Sequence, residues 1–204
     1  MKDMHQFERI AQADGYTMIA GIDEVGRGPL AGPVVTAAVI LPLGYENTDI
    51  NDSKALSEKK RERLYTQIMK DALSVAIDFG PVEEIDRINI LQATWASMRR
   101  SVLGLDIQPD VVLVDGLRVP NLHSNARFIV KGDANSISIA AASIVAKVSR
   151  DRLMQTLGEK FPQYGFDKHK GYPSPSHLSA LETYGPCPHH RMSFAPVAKA
   201  ALRF

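Results

Sequence analysis

The sequence predicts an α/β fold with a central mixed five-stranded sheet flanked by helices. Short apolar runs alternate with segments of helical periodicity along the 204-residue chain, which is the pattern of α/β proteins. Three of the predicted strands follow one another closely in the N-terminal part, which favours antiparallel pairing at the start of the sheet. There is no repeat, low-complexity tract or long linker, so we expect one domain over residues 1–204.

Five segments are predicted to form the strands of this sheet. They are apolar, and most are rich in the β-branched residues that favour an extended backbone. A cluster of Gly and Pro between Gly26 and Pro33 turns the chain after the first strand. The predicted strands are Thr17 to Ile22, Val34 to Leu41, Leu73 to Phe79, Val111 to Val114 and Arg127 to Val130.

The longest predicted helix begins near Ile137 and runs to about Phe161. Apolar residues recur along it at helical spacing and form one face: Ile137, Ala140, Ala141, Ile144, Val145 and Val148. The other predicted helices run from the N-cap Ser57 to about Lys70, from Glu83 to Leu103 with a break near Asn89, from Ser176 to Tyr184 and from Pro196 to Leu202. Residues 162–175 are rich in Pro, Gly and aromatic residues, which predicts an ordered loop.

Composition limits the class of protein. The chain start lacks the apolar stretch of a signal peptide, and the longest apolar run, Pro33 to Leu43, is too short to span a bilayer. The single cysteine, Cys187, excludes an internal disulfide and fits a reducing compartment. We therefore expect a cytoplasmic protein without a membrane partner.

Charge is divided unevenly along the chain. Residues 1–115 carry 12 Lys and Arg against 18 Asp and Glu, whereas residues 116–204 carry 12 against 5. A cationic C-terminal part is typical of proteins that bind a polyanion. A dipolar but inert surface would have the same composition.

The stretch GIDEVGRGPLAGP is the most informative part of the sequence. It places two carboxylates, Asp23 and Glu24, at the end of the first strand. Carboxylate oxygens suit Mg²⁺ or Mn²⁺. Arg27 between Gly26 and Gly28 suits a phosphate or sugar that approaches the backbone closely. A divalent-metal site beside a phosphate-binding group is what cleavage of a phosphodiester requires.

Two further acids lie where α/β enzymes place their chemistry, at strand ends and strand-to-helix junctions. Asp115 ends a buried strand just before Gly116, and Asp133 precedes the long helix. Each has another interpretation. Asp-Gly is a common turn, and Asp133 could stabilise the positive end of the following helix.

The orientation of Asp23 and Glu24 is left open by the sequence. Successive side chains of a strand face opposite ways, so both cannot point at one metal ion from an ideal strand. One of them would have to lie in a bulge or at the strand end, where Gly26 makes distortion easy. Alternatively, Glu24 contributes its main-chain carbonyl.

Three other features carry two interpretations each. Arg27 either contacts a substrate or pairs with a nearby acid. The loop NDSK, which ends in Lys54, either supplies polar groups to a ligand or is a solvated loop with a helix cap. The segment KHKGYP interleaves cations with Tyr172, which suits a nucleic-acid backbone and a stacked sugar or base, but the ring could also pack the loop.

The motifs taken together resemble one family. The segments that match are GIDEVGRGPLAGPVV, NDSKALSEKKRE, EIDRINIL, LVDG, KGDANSISIAAASIVAKVSRDR, FPQYGFDKHKGYPSPSH and HHRMSF. In this order they resemble bacterial ribonuclease HII, of the ribonuclease H-like superfamily, over almost the entire chain. The departures are small: Val25 stands where alanine is also common, and Ser174 where threonine is usual.

The resemblance implies specific site residues. The family's metal-binding and catalytic acids correspond to Asp23, Glu24, Asp115 and Asp133. Its substrate-binding residues correspond to Gly26, Arg27, Gly28, Lys54 and the junction-sensing Tyr172. It also implies a ribonuclease H-like fold with a helical C-terminal extension, residues 162–204, that binds substrate.

The activity implied is hydrolysis of the RNA strand of RNA–DNA hybrids and cleavage 5′ of single ribonucleotides embedded in duplex DNA. Two Mg²⁺ or Mn²⁺ ions about 4 Å apart would activate a water and stabilise the leaving 3′ oxygen, giving 5′-phosphate and 3′-hydroxyl ends. We expect a monomer. The C-terminal residues Ala200 to Phe204 contain no clear clamp-binding motif, and the sequence leaves open whether a replication clamp is a partner.

Two other functions stay open at this point. One is a different acid-rich, metal-dependent nuclease of the same fold, such as a junction resolvase. The other is a non-catalytic nucleic-acid-binding module. The Gly-Arg-Gly motif with Tyr172 argues against the first, and the presence of all four acids argues against the second.

Overall fold

The computed structural model of the protein describes residues 3–50, 53, 56–116 and 118–204. Its five strands correspond one for one to the predicted strands, with ends shifted by a few residues. They are β1 (Ile19–Val25), β2 (Val34–Ile40), β3 (Ser74–Gly80), β4 (Val111–Asp115) and β5 (Ala126–Ile129).

The five strands form one mixed sheet in the order β3-β2-β1-β4-β5. β2 pairs antiparallel with both β1 and β3, whereas β4 pairs parallel with β1 and β5. The antiparallel strands β1 and β2 are joined by the short segment of residues 26–33, whereas residues 41–73 between β2 and β3 include a helix. The parallel strands β4 and β5 are joined by residues 116–125. The predicted mixed sheet is confirmed.

Seven helices occur in the part of the chain that the structure describes. They are α1 (Gln6–Ala13), α2 (Glu58–Asp71), α3 (Val82–Leu103), α4 (Ile137–Lys160), α5 (Phe166–His169), α6 (Pro175–Tyr184) and α7 (Ala195–Ala201). The backbone of Asn89 leaves the helical region at φ 67°, which confirms the predicted break in α3. None of these helices is long and apolar enough to cross a membrane.

Two elements differ from the sequence prediction. α1 was not predicted, and it is held by a distant contact: the buried Glu8 carboxylate accepts hydrogen bonds from the Ser136 hydroxyl and the Ser138 main-chain N–H. The predicted loop over residues 162–175 contains a 3-10 turn, Pro162–Tyr164, and the single-turn helix α5.

The sheet is covered on both faces, and this places α4 beneath the predicted site. Apolar residues of β2 pack with α2 and α4 on one face, while Ala20 and Ile22 of β1 pack with α3 on the other. Gly21 allows α4 to touch β1, because a Cβ built at Gly21 would lie 2.1 Å from the carbonyl carbon of Ser138. No side chain fits there, so the glycine fixes the depth of α4 against the strand.

Candidate active site

The two adjacent acids of β1 lie on opposite faces of the sheet. The pairing of β1 with β2 runs without interruption from Ala20↔Ile40 to Val25↔Val35. The bulge, one of the arrangements that the sequence left open for Asp23 and Glu24, is therefore absent, and the strand ends at Val25 rather than at the predicted Ile22. Regular alternation turns Asp23 toward α4 and Glu24 toward α3.

The Asp23 carboxylate is held by a serine of α4. Asp23 is 5% exposed, and it accepts a hydrogen bond from the Ser143 side chain. The Ser143 hydroxyl also lies 2.9 Å from the Ser53 hydroxyl. Both serines are buried. The interpretation of the NDSK loop as fully solvated is wrong for Ser53, which connects this loop to the acid.

Asp115 ends β4 on the same face as Asp23. One oxygen of its carboxylate accepts a hydrogen bond of 2.6 Å from the Gly132 N–H and a longer contact of 3.4 Å from the Asp133 N–H. Asp133 is buried in the 3-10 turn Gly132–Ala134 that leads into α4. The start of α4 itself is capped by Ser136, whose hydroxyl accepts from the Ile139 N–H.

These carboxylates repel one another in a buried site. Burial raises the pKa of Asp23 well above its usual value, and the nearby carboxylates of Glu24 and Asp115 raise that pKa further. Burial and Asp115 also raise the pKa of Glu24, although Arg27 opposes this shift. The site therefore favours either protonation or a bound cation.

Glu24 and Arg27 line an open cavity on the α3 side of the sheet, which Asp115 reaches from the end of β4. Arg27 Nη1 lies 3.4 Å from Glu24 Oε1, so the ion pair with a nearby acid, one of the two interpretations of Arg27, is present. A cavity of about 490 Å³ begins at Glu24, Arg27 and Asp115 and continues along α3 past Trp95 and Met98. The Arg27 side chain is 49% exposed, which leaves its remaining donors available to a ligand.

The donor chemistry of the acids fits a hard divalent cation. Buried carboxylate oxygens are the ligands that such ions prefer, and a cation would relieve the repulsion that raises the pKa of Asp23. Among the described residues, however, no three Asp, Glu, His or Cys side chains are already arranged to hold a metal ion. Binding of a cation therefore requires the carboxylate side chains to change their arrangement.

Residues 26–32, here called the glycine loop, are held in place by hydrogen bonds from the side chain of Arg191. This arginine is fully buried and donates to the carbonyls of Gly26, Arg27 and Gly32, at 2.9 Å to Arg27. Burial lowers the pKa of Arg191 to about 9, so the guanidinium stays charged at neutral pH. A charged donor bound to several carbonyls makes this loop rigid.

A second buried arginine, Arg150 of α4, joins the glycine loop to a neighbouring segment. That segment, residues 168–174, is here called the tyrosine loop. Arg150 donates to the carbonyls of Ala31 at 3.0 Å, Pro33 at 3.1 Å and Lys170 at 2.9 Å. Gly26 has a φ of 89°, and a Cβ there would lie 2.3 Å from Arg150 Nε, so this position requires glycine.

Tyr172 lies over the glycine loop with its ring partly open to solvent. Its Cε1 is 3.6 Å from where a Cβ of Gly28 would be, and the residue is 42% exposed. The Leu30 N–H donates to the Gly171 carbonyl at 2.8 Å, which fixes the two loops together. An exposed ring on a fixed backbone favours ligand contact over simple packing of the loop.

The structure brings most of the predicted site residues to one end of the sheet. Asp23, Glu24 and Asp115 interact electrostatically, Asp133 follows Asp115's partner Gly132, and the two loops adjoin them. Lys54 lies outside the described residues. Three supporting residues had no predicted role: Ser143, Arg150 and Arg191. Nothing in sequence distinguishes a buried arginine from a surface one, so their roles appear only from tertiary contacts.

Comparisons with known proteins agree with this architecture. The sequence profile of the family described as Ribonuclease HII matches residues 20–197. A ribonuclease HII from Geotalea daltonii is 53% identical over 192 residues, which cover 94% of this chain and 89% of that protein. The crystal structure of ribonuclease H2 from Pyrococcus horikoshii OT3 has a TM-score of 0.79 at 27% identity and covers 91% of this chain and 97% of that one. Ribonuclease HII in a PCNA complex from Archaeoglobus fulgidus has a TM-score of 0.73 at 28% identity and covers 87% and 95%.

The sheet, its helices and these structural neighbours define a nuclease of the ribonuclease H-like fold. The profile match and the 53% identity place the chain further: it belongs to the ribonuclease HII family, the endoribonucleases of the ribonuclease H type. The family predicted from the sequence motifs is confirmed.

Proposed function

We propose that the protein cuts the RNA strand of RNA–DNA hybrids and cleaves 5′ of a single ribonucleotide embedded in duplex DNA. One observation carries the proposal: Glu24, Asp115 and Arg27 line a common cavity, directly beside the loop that Tyr172 covers. Acids that can hold cations thus adjoin groups that can read a sugar and a phosphate.

Asp23, Glu24, Asp115 and Asp133 are the proposed catalytic and metal-binding residues. Two divalent ions, Mg²⁺ or Mn²⁺, supply water activation and stabilisation of the leaving 3′ oxygen when bound. The chain's own groups orient the acids, through Ser143 on Asp23 and the Gly132 N–H on Asp115.

Glu24 has a second way to contribute. Pairing of β1 with β4 ends at Ile22↔Val114, so the main chain of β1 beyond Ile22 is not paired with β4. This favours the interpretation in which Glu24 contributes its main-chain carbonyl, because its side chain faces the other side of the sheet.

The glycine loop is proposed to read the 2′-hydroxyl that separates RNA from DNA. The carbonyls of Gly26 and Arg27 point at the buried Arg191. In a trans peptide the N–H of the next residue points the opposite way. The N–H groups of Arg27 and Gly28 therefore point away from Arg191 and can meet a sugar hydroxyl with no preference for the base.

Tyr172 is proposed to stack on the deoxyribose that follows the ribonucleotide. Its exposed ring on a fixed backbone suits a flat contact, and an added 2′-hydroxyl would crowd the ring or lack a partner. Residues 162–204 then act as the substrate-binding extension of one catalytic domain. We also propose a cytoplasmic monomer.

A panel of labelled duplexes tests the proposal. We expect cleavage in Mg²⁺ of a continuous hybrid and of duplex DNA with one ribonucleotide, but no cleavage of an all-DNA duplex or a four-way DNA junction. Asp23→Asn and Asp115→Asn should each lose activity by roughly 100-fold or more, since losing even an outer partner of a metal ligand costs about 10- to 100-fold. Junction cleavage, or full activity of both variants, would contradict the proposal.

A further inference from the structure

Two buried histidines lie between the loops that the proposed function assigns to the substrate. His177 is 0% exposed and His190 is 2% exposed. Their Nε2 atoms are 3.0 Å apart. His177 Nδ1 lies 2.9 Å from the Tyr172 carbonyl, and His190 Nδ1 accepts a hydrogen bond of 2.9 Å from the Cys187 N–H.

These contacts allow one arrangement of protons. A main-chain N–H only donates, so His190 Nδ1 carries no proton and its Nε2 carries one. The Tyr172 carbonyl only accepts, so His177 Nδ1 carries a proton and its Nε2 accepts from His190. The chain of donors thus runs from the Cys187 N–H through both rings to the Tyr172 carbonyl, with both imidazoles neutral. An extra proton on either ring breaks one of its bonds.

The same pair is attached to the glycine loop. His190 forms an isolated antiparallel bridge with Ala31. Its neighbours extend this contact, since the Gly32 N–H donates to the His189 carbonyl and the Arg191 N–H donates to the Leu30 carbonyl, each at 2.8 Å. The imidazole chain therefore links the backbone of the glycine loop to the backbone of Tyr172.

Aromatic packing leaves these rings little freedom. The His169 ring stacks on His177 with centroids 4.5 Å apart, and Phe166 contacts both rings of the pair at 5.5 Å. The Tyr164 ring lies 4.9 Å from His190. The rings cannot turn to exchange partners without moving this cluster.

We propose that the neutral His177–His190 pair is a positioning element that sets the spacing between the glycine loop and Tyr172, and thereby the preference for a ribonucleotide followed by DNA. The proposal rests on the proposed function, because it requires that Tyr172 contact the substrate. Neither histidine touches the substrate; both act through the Tyr172 backbone.

Nitrogen-15 NMR of the wild-type imidazoles tests the proton arrangement without any variant. At pH 7 we expect His190 protonated at Nε2 and His177 at Nδ1, each with one proton. A doubly protonated ring, or a proton on Nε2 of His177, would overturn the proposal.

Binding measurements test the role, in EDTA so that metal loading does not enter. His177→Phe keeps a ring but removes both polar atoms, so we expect about tenfold weaker binding of duplex DNA with one ribonucleotide, the scale of one stacking contact. Binding of a continuous hybrid should change much less. His177→Asn keeps a donor near the Nδ1 position and should recover part of the loss. In a Tyr172→Ala background, His177→Phe should add no further loss.

Tyr164→Phe is the matched control. It removes a different buried hydrogen bond of the same cluster, from the Tyr164 hydroxyl to the Gly185 carbonyl at 2.8 Å, and should leave the ratio of the two affinities unchanged. If Tyr172→Ala weakens binding but His177→Phe does not, the positioning role alone is wrong. If Tyr172→Ala itself has no effect, the proposed role of Tyr172 fails, and the positioning role fails with it.

Discussion

Hydroxyl groups and glycines determine the geometry of this site as much as its acids do. Ser143 holds the Asp23 carboxylate and reaches Ser53 of the NDSK loop. Gly28 leaves space below the Tyr172 ring. Each of these contacts is a single-residue feature that can be removed without rebuilding the fold.

Ser143→Ala should weaken Mn²⁺ binding by roughly 10- to 100-fold, because an outer partner orients a metal ligand. Stability should fall by only about 1 kcal/mol, the usual net value of one hydrogen bond. Titration calorimetry and thermal unfolding measure the two effects. Ser149→Ala on the same helix is the control, since the Ser149 hydroxyl is buried with no hydrogen-bond partner among the described residues. Equal metal affinities of the two variants would contradict a role for Ser143.

Gly28→Ala should fold normally but bind substrate poorly. The added methyl would lie 3.6 Å from the Tyr172 ring, an ordinary contact, yet it would occupy the space proposed for the sugar. Gly21→Ala is the comparison, because its methyl would overlap the α4 backbone. We expect this overlap to lower the free energy of unfolding by roughly 1–3 kcal/mol or more, as in other overpacked cores. Unfolding curves and duplex affinities separate the two, and unchanged affinity of Gly28→Ala would remove the glycine loop from the site.

At the scale of elements, the sequence predicted the local structure well and the long-range contacts poorly. All five strands and the break at Asn89 were predicted from apolar runs and a local helix signal. α1 was missed because its anchor, Glu8 on Ser136 and Ser138, lies far away in the chain. The sequence left several arrangements of Asp23 and Glu24 open, and a bulge is the one that the structure excludes, because β1 stays paired with β2 through Val25.

The candidate site shows the same division. The four acids and the Gly-Arg-Gly segment belong to short motifs, and their chemistry can be inferred from residue type. Arg150 and Arg191 bind carbonyls more than 100 residues away, which no local pattern reveals. No role was predicted from the sequence for His177 or His190, because their contacts with each other and with the Tyr172 carbonyl appear only in the folded chain.

The packing of α6 against the turn that carries His190 should make folding sensitive to acid. Burial lowers the pKa of His190 to about 4 from 6.5, and the nearby imidazoles of His177, His189 and His169 lower this pKa further. Between about pH 6.5 and pH 4, the His190 imidazole therefore binds a proton in the unfolded chain but stays neutral in the folded chain. Stability from this group is complete above about pH 6.5 and is lost as pH falls toward 4, by up to about 3 kcal/mol. Urea unfolding across this range should show the loss, and His190→Gln should flatten it; equal slopes for both proteins would contradict the assignment.

At the scale of the whole molecule, charge separates metal binding from nucleic-acid binding. Three of the four acids lie in the anionic part, residues 1–115, whereas the tyrosine loop lies in the cationic part, residues 116–204. The fold brings the two parts together at one end of the sheet. A polyanion can thus approach through the cationic part while the acids remain available to cations.

Affinity for a hybrid duplex should fall steeply with salt, because bound Lys and Arg release counterions from the phosphates. Neutralisation of even two phosphates predicts that affinity falls about tenfold between roughly 50 and 200 mM salt. Fluorescence anisotropy in EDTA measures the slope of the logarithm of affinity against the logarithm of salt concentration. Lys168→Gln, in the exposed start of the tyrosine loop, should reduce that slope by about one. A flat salt dependence would show that the cationic part is not the binding surface.

Product mapping is the sharpest test of whether this end of the sheet recognises one 2′-hydroxyl and cuts beside it. Three duplexes should be compared in Mg²⁺, identical except for a ribose, a deoxyribose or a 2′-O-methylribose at one position. We expect that only the ribose duplex is cut, on the 5′ side of the ribonucleotide, leaving a 3′-hydroxyl and a 5′-phosphate, and that Asp115→Asn abolishes this cut. Cleavage of the deoxyribose duplex at a similar rate, or a cut elsewhere in the ribose duplex, would contradict it.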